Sequence, residues 1–161
     1  MAAGCGRGEP PDDSGPVGMV QQALTVQLEA ENGTNNGGQL EGGGDSGSKV
    51  ILNSSGDSVC WSGTNMSGIN KVTIHHSNGE PAGDSLIAKY NGVSLGSAAT
   101  SATSGWSTPL FANAVVNFSA QSGSGTFCVE GSGSGWIAGL DYVLLEGSSV
   151  CTPSCSGKQC G

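Results

Sequence analysis

Three carboxylates stand out by their placement. Glu29 and Glu31 lie two residues apart in an alternating stretch, Thr25-Val-Gln-Leu-Glu-Ala-Glu31, that reads as a strand. On a strand both side chains leave the same face. Like charges side by side repel unless water solvates them or a cation lies between them. Asp141 interrupts an apolar run, Leu140-Asp-Tyr-Val-Leu-Leu145. In a sandwich the first and last strands are often neighbours, which would gather all three. Hard oxygen donors in a loop-rich chain favour calcium; a solvated edge strand is the plain alternative.

Other residues imitate catalytic motifs. Gly44-Asp45-Ser46-Gly47 is similar to the nucleophile motif of trypsin-like proteases. The two histidines, His75 and His76, follow that serine instead of preceding it, and the chain is too short for two barrels. Being adjacent, they face opposite sides of a strand and cannot both chelate one metal; one inward and one exposed is expected. Gly133-Ser-Gly135-Trp-Ile-Ala138 imitates a dinucleotide fingerprint, yet it leads into a strand-like run where that motif opens a helix. Cys151, Cys155 and Cys160 lack the fourth ligand of a zinc site. No nucleophile, base and orienting group form a credible set, so an enzyme is not expected.

Two tryptophans sit in unusual company. Trp106 and Trp136 each follow Gly- and Ser-rich stretches. An indole in such a loop is either a lid on the core or an exposed platform on which sugar C–H faces stack. Trp61 keeps phase with Val59 and reads as core.

The elements that must position these groups are strands. Short alternating segments occur at Thr25–Glu31, Lys49–Leu52, Ser58–Trp61, Ile69–His75, Ser85–Tyr90, Pro109–Phe118, Thr126–Glu130 and Leu140–Glu146. Asn91-Gly92 is a hairpin turn signal. Eight or nine strands separated by turn residues, with no competing helical period, indicate an all-β antiparallel sandwich or barrel. The composition agrees. With 29 glycines, 35% hydrophobic and 11% charged residues in 161, a helical bundle is excluded, and collagen is excluded by the lack of a three-residue glycine period. No apolar run reaches the roughly 18 residues of a spanning helix. A net charge of −8 with five Lys and Arg excludes a phosphate backbone, so no nucleic-acid partner is expected.

Six cysteines point to an oxidising compartment, outside the cell or on its surface. Residues 1–24 read as a flexible linker around Glu9-Pro-Pro-Asp-Asp13. Its opening Ala2-Ala-Gly-Cys5 is similar to the end of a bacterial lipoprotein signal, which makes Cys5 a candidate for lipidation and the membrane a partner only through that anchor. Residues 25–147 form the expected sandwich domain. Residues 148–161 form a cysteine-rich tail, expected to be cut from a longer segment because three cysteines cannot pair among themselves.

Taken in order, Leu28-Glu-Ala-Glu31, Gly56-Asp57 before Ser58-Val-Cys-Trp61, Gly105-Trp106 and Gly135-Trp-Ile-Ala-Gly-Leu-Asp141-Tyr142 resemble carbohydrate-binding module family 6 over residues 26–146. The resemblance implies a galactose-binding-like jelly roll, non-catalytic and monomeric, with polysaccharide or oligosaccharide as partner. It implies Glu29, Glu31 and Asp141 as ligands of a structural calcium ion. Trp106 matches a sugar-stacking tryptophan at the sandwich rim, Glu41 falls at a polar contact there, and Trp136 is a replacement platform. Two family positions differ: an aromatic is replaced by Ser58, and a sugar-bonding asparagine by Gly139. Cys60 and Cys128 would lie on strands that could be neighbours, close enough for a disulfide. With two contacts missing, a structural or adhesive surface domain of the same fold is the alternative.

Overall fold

The computed structural model describes residues 20–151. The candidate anchor Cys5, and Cys155 and Cys160 of the tail, lie outside the described residues. Eleven strands are formed among those described: β1 Val20–Glu29, β2 Thr34–Asn36, β3 Gln39–Gly42, β4 Ser48–Leu52, β5 Ser58–Asn65, β6 Ile69–Ser77, β7 Ser85–Tyr90, β8 Val93–Ala99, β9 Ala112–Asn117, β10 Ser124–Ser132 and β11 Ala138–Cys151. They make two antiparallel sheets, the sandwich expected from the sequence. One has the order β3-β4-β11-β6-β9 with β1 also paired to β11; the other has the order β2-β5-β10-β7-β8.

Alternation builds the core. On β6, Val72, Ile74 and His76 point inward while Lys71, Thr73 and His75 lie on the other face. On β10, Phe127 and Val129 are inward, and on β7 Leu86 and Ala88. These meet Val143 and Leu145 of β11 and Val50 and Leu52 of β4 in one cluster. Trp61 is core as expected, stacked on Phe127 with centroids 6.1 Å apart. Full burial of a Phe or Leu side chain is worth about 1.5–3 kcal/mol, so a handful of them outweighs the sparse aromatic content.

The three strands not anticipated, β2, β3 and β8, are all sheet edges. Both ends of the domain also extend further than expected. β1 begins at Val20 and β11 runs to Cys151, pairing Val20 with Cys151 through Glu29 with Tyr142.

One edge of β11 is divided between two partners. Residues 138–140 pair with β4 and residues 142–151 with β1. Asp141 sits at the division, and the register with β6 shifts there too, from Leu140↔His76 to Tyr142↔His75. A bulge of this kind re-aims a side chain without ending the strand.

Cys60 and Cys128 face each other in register on β5 and β10 and are joined by a disulfide, with Cα atoms 4.1 Å apart and a sequence separation of 68. Cross-linking so long a loop removes unfolded-state entropy worth about 4 kcal/mol in the chain-entropy account.

His76 is fully buried beneath the second sheet's loops. Its Nδ1 donates to the Ile74 carbonyl at 3.3 Å, and its Nε2 accepts the Ser101 N–H at 3.1 Å, so the ring is neutral. Burial holds its pKa below the usual value; neighbouring His75 adds to this, and the Ile74 carbonyl opposes it. The unfolded chain takes that proton near pH 6.5 whereas the folded chain resists it. Stability is therefore complete above about pH 6.5 and is lost as pH falls below it toward the folded pKa. The urea midpoint is expected to drop between pH 7.5 and 5.5, and to drop less in His76→Gln. Equal slopes in the two proteins would remove His76 from this role.

Candidate functional site

The division of β11 creates a corner that three segments fill. β1 ends at Glu29, and a single 3₁₀ turn over Ala30–Asn32 carries Glu31, so the two glutamates do not share one strand face as expected. The turn buries Ala30, and the Trp61 indole N–H donates to the Glu29 carbonyl at 2.8 Å, tying the corner to the core. From the other side comes the β3–β4 loop, closed by Gly44 N–H donating to the Gly47 carbonyl at 3.0 Å.

That loop meets all three carboxylates. The Asp45 and Ser46 amides donate to Asp141 Oδ2 at 3.0 and 3.3 Å. The Ser46 hydroxyl lies 2.5 Å from Glu29 Oε2 and 3.0 Å from Asp141 Oδ1. The Ser48 amide donates to Glu31 Oε1 at 3.4 Å. Glu29 and Asp141 are thus joined through the Ser46 hydroxyl, while Glu31 is held by the Ser48 amide, and Ser46 is the serine of the protease-like motif. Its hydroxyl is directed at carboxylates, and among the described residues no hydrogen bond joins it to a histidine.

The corner is short of positive charge. Ser46 has one hydroxyl hydrogen and two carboxylate oxygens within reach, so it can satisfy only one at a time. Glu31 Oε2 is buried without a hydrogen-bond partner. Burial pushes the Asp141 carboxyl above its usual range, against the pull of the Ser46 hydroxyl and the two loop amides. The Tyr142 hydroxyl is also pushed up, by burial first and then by Asp141, Asp45 and Glu29. An orphaned carboxylate oxygen and an over-subscribed hydroxyl are what a bound cation relieves, and the all-oxygen donor set of Glu29, Glu31 and Asp141 suits a hard one.

A second set shares Asp141. Ligand atoms of Asp45, His75 and Asp141 lie within 4.8 Å of one another. Here, however, His75 is already engaged: Nε2 is 2.9 Å from Asp45 Oδ2 and Nδ1 is 2.7 Å from Asn113 Oδ1. Its ring is sandwiched between Phe111 and Tyr142, with centroids 5.0 and 4.5 Å away. The expectation of one inward and one exposed histidine is therefore half met. His76 is core, while His75 is sheltered on the outer face. Asp45, hydrogen-bonded by Thr108 and then by His75, has its pKa lowered.

The tryptophans meet at the rim. Trp106 and Trp136 form an edge-to-face pair with centroids 5.4 Å apart and planes 68° apart. Trp106 lies against Gly79, where any Cβ would overlap the indole, and its carbonyl accepts the Ser77 hydroxyl at 2.9 Å. Its loop is pinned at several points, including Thr103 N–H to Asn78 O at 2.8 Å and Thr108 N–H to Gly43 O at 2.9 Å. Trp136 is 44% exposed and borders a groove. Glu41 is turned to Lys49, whose buried Nζ lies 3.6 Å from Oε2 and donates to the Gly42 carbonyl at 2.6 Å. Ser58 is buried at the start of β5 opposite Asn36 and Glu130. At Gly139 a side chain would run into Ser77, Ile51 and the Lys49 stem.

No family model matches the sequence, and no curated protein matches it. Solved structures do match the fold. A family 6 carbohydrate-binding module from Clostridium cellulolyticum, solved with xylose, superposes with a TM-score of 0.66 at 18% identity over 73% of this chain and 94% of that one. One from Clostridium stercorarium, solved with cellobiose, gives 0.64 at 17% identity over 77% and 94%. A β-1,3-glucan-binding module from Bacillus halodurans gives 0.65 at 19% identity over 73% and 92%. The likeness is one of fold.

Sequence reasoning singled out the three carboxylates but missed Ser46, whose hydroxyl lies between Glu29 and Asp141. The signal was present in the glycines that flank it. A Cβ at Gly44 would overlap Asp141 Oδ1. Gly44→Ala is expected to cost roughly 1–3 kcal/mol in overpacking, and a lower urea midpoint checks it. A neutral result would mean that the loop does not depend on its contact with Asp141.

Proposed function

We propose that the chain is a non-catalytic carbohydrate-binding domain, its sandwich fastened by calcium at Glu29, Glu31 and Asp141, and that it binds polysaccharide at the loop rim carrying Trp106 and Trp136. The sugar assignment is supported by the paired indoles beside a groove, on a fold shared with modules solved with cellobiose and xylose. The calcium assignment is carried by the partnerless Glu31 Oε2. When bound, the ion supplies the positive charge that three converging carboxylates lack. The chain's own work is to hold the glycan: indole faces stack on sugar rings and carboxylates accept hydroxyls, with no bond broken. We place this domain, whose strands run from Val20 to Cys151, in a monomer outside the cell, tethered through the preceding linker and a lipid on Cys5.

A structural or adhesive role is the second reading. It is favoured by the buried Ser58 and the filled space at Gly139, which leave two sugar contacts of the resembling family without a counterpart.

Two measurements separate these ideas. Native protein is expected to bind at least one glycan in a panel of xylans, glucans, mannans and galactans; silence across the panel favours the adhesive role. After chelation, adding calcium is expected to raise Tm on the order of 10 °C at a hundredfold excess over Kd. Glu31→Gln is expected to blunt that rise, and a melt indifferent to calcium and chelator removes the ion.

A further inference from the structure

We propose that the glycan's seat is the groove beside Trp136, not a stack on Trp106, and that this groove selects an uncharged glycan over polyuronates and sulfated polymers. This presupposes that the domain binds carbohydrate.

The groove has a volume of about 580 Å³ and runs between residues 80–84, which join β6 to β7, and residues 134–136, which precede β11. That size is within the range of small-ligand sites. Trp106 is poorly placed as a platform. One part of its indole is pressed against Gly79, and Trp136 meets it edge to face. Trp136 keeps 44% of its surface open and itself lines the groove. Trp106 therefore acts as a positioning residue that braces Trp136 from behind.

The charge of the groove sets the class of ligand. Its two ionisable lining residues, Glu80 and Asp84, are both acidic. Asp84 is held in place by its Oδ1, which accepts the Ser134 N–H at 3.2 Å. Carboxylates accept hydrogen bonds from sugar hydroxyls but repel a uronate or sulfate. No basic group relieves that repulsion locally. Among the described residues the lysines are Lys49, Lys71 and Lys89, and each is paired with a carboxylate: Glu41, Glu146 and Glu130 respectively. The chain's formal charge of −8 adds a long-range barrier to polyanions.

The test is isothermal titration of the full chain with laminarin, konjac glucomannan and neutral arabinoxylan, against polygalacturonate, at low and moderate salt. Expected is binding to at least one neutral glycan, with polygalacturonate at least tenfold weaker and the gap narrowing in Glu80→Gln and with added salt. Trp136→Ala is expected to weaken neutral binding tenfold or more, and Trp136→Phe, which keeps an aromatic face and controls for folding, to retain most of it. Binding that survives Trp136→Ala but is lost in Trp106→Ala overturns the groove while leaving carbohydrate binding intact. Polygalacturonate bound as tightly as the neutral glycans overturns the charge selection alone. If neither class binds, the carbohydrate function itself falls, and the groove assignment with it.

Discussion

A carboxylate buried at the one place where β11 changes partners governs this fold. Above Asp141 the strand's edge belongs to β4, and below it to β1. At such a division the ladder is interrupted, and backbone amides nearby need acceptors. Asp141 supplies one for the Asp45 and Ser46 amides, so the β3–β4 loop folds down onto the corner. The acceptor is charged, and its burial raises its own pKa. Adding Glu29 and Glu31 makes the corner more negative still. A corner built this way is stable in isolation only at a cost, and a cation there would turn that cost into a clamp across the first strand, the last strand and a hairpin.

The clamp and the rim are physically continuous. Thr108 donates its N–H to Gly43 at the start of the hairpin loop and hydrogen-bonds Asp45 two residues further on. Two residues before Thr108 is Trp106, which braces Trp136. Whatever orders the carboxylate corner therefore also restricts the loop behind the exposed indole. Less conformational freedom at a binding surface means less entropy lost when a ligand arrives.

The interior of the sandwich was legible because buried strands on half-covered sheets must alternate, and Ile69–His75, Ser85–Tyr90 and Thr126–Glu130 do. The edges were not. β2, β3 and β8 are Thr-Asn-Asn, Gln-Leu-Glu-Gly and Val-Ser-Leu-Gly-Ser-Ala-Ala, largely exposed on both faces, so packing imposes no period on them. The neighbouring first and last strands, which bring Glu29 and Asp141 to one corner, were legible, yet the means was hidden. Glu31 arrives on a 3₁₀ turn instead of the strand, and Ser46 connects the carboxylates from a loop 17 residues further along. Hydrogen bonds between segments distant in sequence leave no periodic trace.

The small residue at position 139 has a packing explanation. Lys49 and Ile51 are buried on β4, and Lys49 Nζ lies near Gly43, as does Ser107. Lys49 answers by donating to Gly42 and pairing with Glu41. Its stem then crosses Gly139, and Ser77 crowds the same spot while bonding the Trp106 carbonyl. An amide at position 139 would displace both. A side chain at position 139 therefore forces Ser77 and Lys49 to give way, and Glu41 is committed to the buried Lys49. Among the tryptophans, the one left exposed is Trp136, at 44%.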